Sequence, residues 1–285
     1  MTTAGELVRS VARRLEEAGV GDGRLEARLL LGDAAGWTTE RIVADSETPL
    51  DPGIVARVER LAQRRVEREP MSHILGRREF WSLTFKVSPD VLTPRPDSEA
   101  LVEAVLKALP DRGARLSVLD LGVGSGCLLL SLLHELPNAT GVGIDRSERA
   151  LAVARDNAAA LGLADRATMT PGDWGEGIAD VFDVVVSNPP YIRSDDIELL
   201  DPEVCDHEPW LALDGGPDGL DCYRRLAGQL GYLVRPGGWV ALEVGKDQWE
   251  AVTRLVRHAG FRVEAPIRDL GGVDRVVLGR RPTPG

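Results

Sequence analysis

The stretch Leu116-Ser117-Val118-Leu119-Asp120-Leu121-Gly122-Val123-Gly124-Ser125-Gly126 passes from a mostly apolar segment into a glycine loop, and an apolar run over 128–136 follows it. Apolar residues in a short, nearly unbroken run read as a buried strand. Closely spaced glycines let the backbone approach a ligand and take conformations closed to other residues. A helix starting behind such a loop offers an electropositive N-terminus. Strand, loop and helix in that order predict a nucleotide-binding unit in an open α/β sheet.

Three more strand ends follow. Thr140-Gly141-Val142-Gly143-Ile144 runs into Asp145. An acid about 20 residues past such a loop suits ribose hydroxyls. After a helical stretch over 147–161, the weaker strand Ala167-Thr168-Met169 leads to Gly172-Asp173-Trp174, an acid and an indole suited to hydrogen-bonding and stacking on adenine. Phe182-Asp183-Val184-Val185-Val186-Ser187 then stops at Asn188-Pro189-Pro190-Tyr191. Proline has no N–H and a fixed φ, so the strand ends there, and each residue before a proline is held extended.

The chemistry of that last edge is specific. Asn188 Oδ1 and the Pro189 carbonyl are two acceptors on a rigid arc, matched to a planar –NH₂ whose two hydrogens must both be placed. Tyr191 offers an aromatic face to a methylsulfonium, and Pro190 stiffens the turn. The expected cofactor residues are Gly122, Val123, Gly124, Ser125, Gly126, Asp145, Asp173, Trp174 and Asn188. The expected catalytic residues are Asn188, Pro189 and Tyr191, with Pro190 joining them against the substrate. A dehydrogenase would need a histidine or lysine placed for hydride chemistry, whereas His134 and His258 fall in helical stretches. The order of features fits an S-adenosylmethionine site.

Beyond Tyr191 a long connection over 192–220 carries Asp195-Asp196, His207-Glu208-Pro209 and Asp214-Gly215-Gly216-Pro217-Asp218-Gly219. Connections of this length are often lids or binding loops. A helix over 220–234, a turn at Arg235-Pro236-Gly237-Gly238, the strand Trp239-Val240-Ala241-Leu242-Glu243-Val244 and a helix over 248–259 come next. Strands over 261–266 and 273–279 share a short glycine-rich turn and must be antiparallel neighbours. The sum is a mostly parallel seven-stranded α/β sheet with one reversed strand, the architecture of a class I methyltransferase.

Upstream, residues 1–70 show apolar residues at helical spacing in four short segments. Arg57, Arg60, Arg64, Arg65 and Arg68 form a stripe with interspersed glutamates, which reads as a solvated helix face with i,i+4 pairs, the alternative being a contact surface for an acidic partner such as RNA. Residues 71–95 are expected to form a hairpin and linker, with His73-Ile74-Leu75-Gly76 among the paired strands. The third segment, 96–285, is the methyltransferase domain. Asp97 or Ser98 is expected to cap its first helix, and Arg95 sits on the rigid connector that leads into it.

Composition bounds the partners. A net charge of −11 over 285 residues argues against a broad nucleic-acid-binding surface. No secretory signal begins the chain and no apolar run reaches bilayer length. Cys127, Cys205 and Cys222 lack metal-ligand spacing, so no metal is expected, and a reduced, cytoplasmic protein is; a monomer is expected, though no residue pattern fixes it. Cys127, just behind the glycine loop, reads as packing.

With these stretches in view, the chain resembles the peptide-chain release-factor glutamine methyltransferases of the PrmC/HemK family over nearly its whole length. The residues that carry the resemblance are Pro94-Arg95-Pro96-Asp97-Ser98-Glu99, the glycine loop from Asp120, Ile144-Asp145, Gly172-Asp173-Trp174, Ser187-Asn188-Pro189-Pro190-Tyr191, His207-Glu208-Pro209 and Asp214-Gly215-Gly216 with Asp218-Gly219. The resemblance implies methyl transfer from S-adenosylmethionine to the glutamine nitrogen in the Gly-Gly-Gln loop of a class 1 release factor. It also implies that the glycine loop holds the methionine moiety, Asp145 the ribose and Trp174 the adenine side, with the helical segment gripping the release factor. Cys205 stands where relatives often carry a basic residue, and Thr93 replaces a usual aliphatic. The Asn-Pro-Pro-Tyr edge is shared with adenine-N6 methyltransferases, so nucleic-acid methylation, or another amide substrate, is the alternative.

Overall fold

The computed structural model describes residues 1–284. It resolves into two compact units, one made of Met1–Gly76 with Asp201–His207, the other of Arg77–Leu200 with the chain from Glu208 onward.

The first unit is helical: α1 Ala4–Glu17, α2 Gly23–Ala35, α3 Thr39–Ala44, α4 Pro52–Val66 and α5 Met71–Leu75. Each of the first four starts on a side-chain cap: Thr3, Asp22, Thr38 and Asp51. Leu7, Val11 and Leu15 of α1 pack with Leu30 and Leu31 of α2, Ile42 and Val58. Helix α5 corrects the expectation of a strand at 73–76. Gly76 ends it in the left-handed conformation (φ 69°), so this unit extends to residue 76 and not to about 70.

The arginine stripe also differs from expectation. Arg64 pairs locally with Glu69 (2.7 Å), but Arg57, Arg65 and Arg68 find partners far along the chain, and none of these ion pairs is i,i+4. Arg65, 6% exposed, binds Glu26 (2.6 Å) and Glu203 (2.8 Å), and Arg68 binds Glu203 (2.6 Å). Arg57 pairs with Asp33 (3.0 Å). Glu203 lies in the helical turn Pro202–Cys205, so two arginines of the first unit hold the segment Asp201–His207.

The second unit opens with a hairpin, β1 Arg77–Phe80 and β2 Leu83–Lys86. Trp81 and Ser82 turn it with φ of 53° and 57°, the both-positive geometry whose twist matches a two-residue hairpin. The Trp81 N–H donates to Glu99 Oε1 (2.8 Å) and its indole to Glu135 Oε1 (2.9 Å), which secures a turn without glycine.

The main sheet contains β3 Ser117–Leu121, β4 Thr140–Asp145, β5 Ala167–Pro171, β6 Phe182–Ser187, β7 Val234–Glu243, β8 Arg262–Val263, β9 Ile267–Arg268 and β10 Asp274–Arg280. Its order is β5-β4-β3-β6-β7-β10, with β8 and β9 both on β10. Pairings from β5 to β7 are parallel, and β10 is antiparallel to all its neighbours. The strand expected over 261–266 is broken into β8 and β9 around Pro266, which has no N–H for the ladder. Together they occupy one strand position, so seven positions remain. The turn expected at 235–238 lies inside β7 as a bulge: Phe182 pairs with Val234, but Val184 pairs with Trp239.

Side-chain alternation builds the layers. Val118, Val184, Val186, Ala241 and Val276 face one core with α6 Glu99–Ala108, α7 Cys127–Glu135 and α8 Glu148–Ala160. Leu119, Val185, Val240, Leu242 and Val277 face the other with α9 Asp221–Leu233 and α10 Trp249–His258. Among the described residues no helix is long and apolar enough to cross a membrane.

Candidate active site

The chain lays β3, β4 and β5 outward in turn, then returns to place β6 beside β3. This reversal is where open α/β sheets bind ligands, beyond the strands' carboxyl ends. Asp120 lies level with Val186, so the glycine loop and the Asn188 edge leave neighbouring strands two residues later. A cleft of about 210 Å³ lies there, lined by Gly122 to Ser125, Asp145, Trp174, Asn188 and Pro190, among others.

Gly122, Gly124 and Gly126 take φ of 80°, 53° and 84°, which a side chain would strain. A Cβ on Gly122 would stand 3.5 Å from the Trp174 ring. The Gly122 and Val123 N–H groups donate to the Ile144 carbonyl, each at 2.9 Å. Asp145 holds the loop with one oxygen, accepting from Gly124 N–H (2.9 Å), and with the other accepts from Ser147 N–H (2.9 Å). Each oxygen keeps a lone pair for a ligand hydroxyl. Asn157, which sequence reasoning missed, braces the loop from behind by donating to the Ser125 carbonyl (2.8 Å) and accepting from Lys86 N–H (2.7 Å).

Two acids or thiols below the loop are shifted by burial. Asp120, 1% exposed, accepts from Leu129 N–H (3.3 Å), while its Oδ1 has no hydrogen bond among the described residues. Burial pushes its carboxyl up to about 7. Burial likewise pushes the Cys127 thiol up to about 12, consistent with packing.

Asp173 adjoins the cleft between two lining residues, and its Oδ1 is buried without a hydrogen bond among the described residues. Its carboxylate binds Arg225 (2.7 Å), with Arg146 at 3.8 Å, and it is absent from the cleft wall, which Gly172, Trp174, Arg146 and Arg225 do form. Arg225 takes Oδ2, and Oδ1 keeps its acceptor capacity. Trp174 itself is held with φ 56°, nearly buried, next to Gly122.

The Asn188 edge is partly as expected. Ser187 donates its hydroxyl to the Leu121 carbonyl (2.5 Å), tying β6 to β3 at the site. Asn188 and Pro190 line the cleft. Pro189 is buried and outside the wall, and its carbonyl has no hydrogen-bond partner among the described residues. Tyr191 is a correction. Its ring is not in the wall but packs against the second core beside Gly245, where a Cβ would lie 2.9 Å from it. Gln248 fixes its backbone by donating to the Tyr191 carbonyl (2.9 Å). Burial, then the nearby Glu243 charge, pushes its hydroxyl up to about 12.

The opposite wall comes from the connector and the long loop. Glu208 accepts from Thr93 N–H (3.1 Å) and Arg95 (2.9 Å), so Arg95 is spent on Glu208 and Thr93 contributes its backbone. Thr93, Pro94, Pro209, Leu211 and Asp214 then line the cleft. Ser98 makes no cap bond; its Oγ accepts from Asn188 Nδ2 at 3.2 Å. Asp90, Val91 and Leu92 also line the cleft, with no signal in the sequence beyond lying near the Pro-Arg-Pro connector.

A parallel sheet reversed at its last strand, with a ligand cleft at the switch point, defines a class I methyltransferase fold. A methyltransferase from Pyrococcus furiosus shares it, with a TM-score of 0.54 at 18% identity over 77% of this chain and 98% of that one. Family models for the PrmC N-terminal domain and the methyltransferase small domain match residues 6–76 and 96–200. The release factor glutamine methyltransferase of Caulobacter vibrioides is 51% identical over 267 residues, 93% of this chain and 92% of its own. That of Rhodospirillum rubrum is 45% identical over 281 residues, 99% of this chain and 86% of its own. The chain belongs to the release factor glutamine methyltransferase family.

Proposed function

We propose that this protein methylates the side-chain nitrogen of a glutamine, the one in the Gly-Gly-Gln loop of class 1 release factors, with S-adenosylmethionine as donor. The observation that carries the reading is an amide side chain, Asn188, at the end of β6 on the wall of a cleft whose adjoining wall is the loop from Gly122 to Ser125. Full-length likeness to the Caulobacter vibrioides enzyme supplies the substrate class.

The residues present fit the donor. Glycines at positive φ leave room for backbone contact, Asp145 keeps acceptor capacity for ribose hydroxyls, Trp174 offers an indole on the wall, and the buried Asp120 Oδ1 is an unused acceptor below the loop. When bound, S-adenosylmethionine supplies a methyl carbon activated by a sulfonium. Asn188 Oδ1 and the unpartnered Pro189 carbonyl accept the two hydrogens of the substrate –NH₂ and hold its nitrogen in line. Holding reactants in such geometry is worth up to about 7–11 kcal/mol. Gly122 to Ser125, Asp145 and Trp174 would hold the donor, whose methyl carbon would pass to the positioned nitrogen with the bonding pair left on sulfur and an amide proton lost to water. Tyr191 anchors the edge from the core side. Such an enzyme works in the cytosol.

Mass spectrometry of a purified class 1 release factor, after incubation with enzyme and S-adenosylmethionine, tests this. One added methyl on the Gly-Gly-Gln glutamine is expected. Methyl incorporation into adenine of nucleic acid, with none in the release factor, would contradict it.

A further inference from the structure

Strand β7 ends in an acid that the proposed reaction does not use. Glu243 is 1% exposed and continues Val240, Ala241 and Leu242, all fully buried. Its Oε2 has no hydrogen bond among the described residues. A buried carboxyl with an unmade bond is costly and calls for a reason.

Its surroundings supply one. Ser98 and Asn188 both favour its ionised form, as does Arg275, while Asp97 opposes it; burial outweighs them and pushes the carboxyl up to about 7. Arg275 is shared with Asp269 (2.9 Å) and Asp97 (3.2 Å), so it is not Glu243's own counter-ion. Tyr223 donates its hydroxyl to the Glu243 main-chain carbonyl (2.8 Å), and Tyr191 and Cys127 are further titratable neighbours. Ser187 pairs with Leu242 across β6 and β7, which sets Asn188 and Glu243 side by side at the strand ends, and Asn188 in turn donates to Ser98; of the three, Asn188 alone is engaged in the proposed chemistry.

An asparagine amide has a donor end and an acceptor end, and a half-turn exchanges them. For Oδ1 to serve the substrate, Nδ2 must be committed to an acceptor in the protein. Ser98 Oγ is that acceptor, at 3.2 Å, and Ser98 is itself 2% exposed. A hydroxyl that accepts from Asn188 still has to place its own hydrogen, and the ionised form of Glu243, which Ser98 favours, can take it.

We propose that Glu243 is a positioning residue: through Ser98 it fixes the donor–acceptor polarity of the Asn188 side chain, so that Oδ1 faces the substrate amide. This inference rests on the role given to Asn188 above.

The experiment compares E243M, E243Q, S98A and N188A with wild type, measuring release-factor methylation and S-adenosylmethionine affinity. Methionine fills the space without accepting a hydrogen bond, whereas glutamine still offers an acceptor. E243M and S98A are expected to lower kcat about 10–100-fold, as small misplacements of reacting groups do, with cofactor Kd within about twofold. E243Q is expected to recover to within about threefold of wild type. Turnover by E243M within about threefold of wild type, or E243Q as slow as E243M, would overturn the inference. If E243M does not fold, S98A decides on the same thresholds. Wild-type-like methylation by N188A would instead overturn the role of Asn188, separating the two failures.

Discussion

The Gly124 main-chain N–H donates to Asp145 Oδ2 at 2.9 Å, so the acid that ends β4 braces the glycine loop that leaves β3. One side chain therefore shapes the loop and keeps lone pairs for a ligand. Asp145→Ala should weaken S-adenosylmethionine binding by about 10–100-fold, the worth of hydrogen bonds to a charged group. Asp145→Asn, which keeps one acceptor, should fall between. Titration calorimetry measures both.

Gly122 and Gly162 separate strain from site. Both have positive φ (80° and 69°), but a Cβ on Gly122 meets Trp174 while one on Gly162 meets nothing within 4 Å. Each change to alanine should cost about 1–2 kcal/mol for the left-handed backbone. Only Gly122→Ala should also weaken cofactor binding. Urea unfolding and calorimetry on the two variants distinguish the effects.

Much of this site was legible because its parts stand at successive strand ends. The glycine loop, Asp145, Trp174 and Asn188 each close a run of apolar residues, and sheet topology then brings the strand ends together. The turn of the Tyr191 ring and the partner of Asp173 were not legible because adjacency in sequence does not say where a side chain turns. The Tyr191 ring finds the core beside Gly245, and Asp173 finds Arg225, contacts made far along the chain. Ser98 looks like a helix cap from its neighbours alone, and its partner is 90 residues away. Glu243 was hidden as the last residue of an apolar strand, although a charge in that position was itself a signal.

The Cys127 thiol, raised to about 12 by burial, should be almost wholly protonated at pH 8 although it lines the cleft. Thiolate is the form that reacts. Iodoacetamide should therefore label Cys127 at least about tenfold more slowly in the native protein than in urea, read by peptide mapping.

Glu203 gives the helical unit an acid-sensitive tie. Burial works against its charge, but Arg68 and Arg65 outweigh it and hold the carboxyl down at about 2. A depressed carboxyl stabilises the fold above its ordinary value of 4.5 and loses that contribution as pH falls from there towards 2. Glu203→Ala should cost about 1–3 kcal/mol near pH 7, by leaving buried donors of Arg65 and Arg68 unmade. The difference from wild type should shrink below pH 4.5. Urea midpoints across pH check this.

The central claim is that Asn188 acts chiefly by holding the amide nitrogen and contributes little to cofactor affinity. Single-turnover methylation of a release factor by Asn188→Ala, beside its S-adenosylmethionine Kd, tests it most directly. The expected result is a rate at least about 100-fold below wild type with affinity changed no more than about threefold. Transfer at close to the wild-type rate, or a rate loss explained wholly by lost cofactor binding, would contradict it.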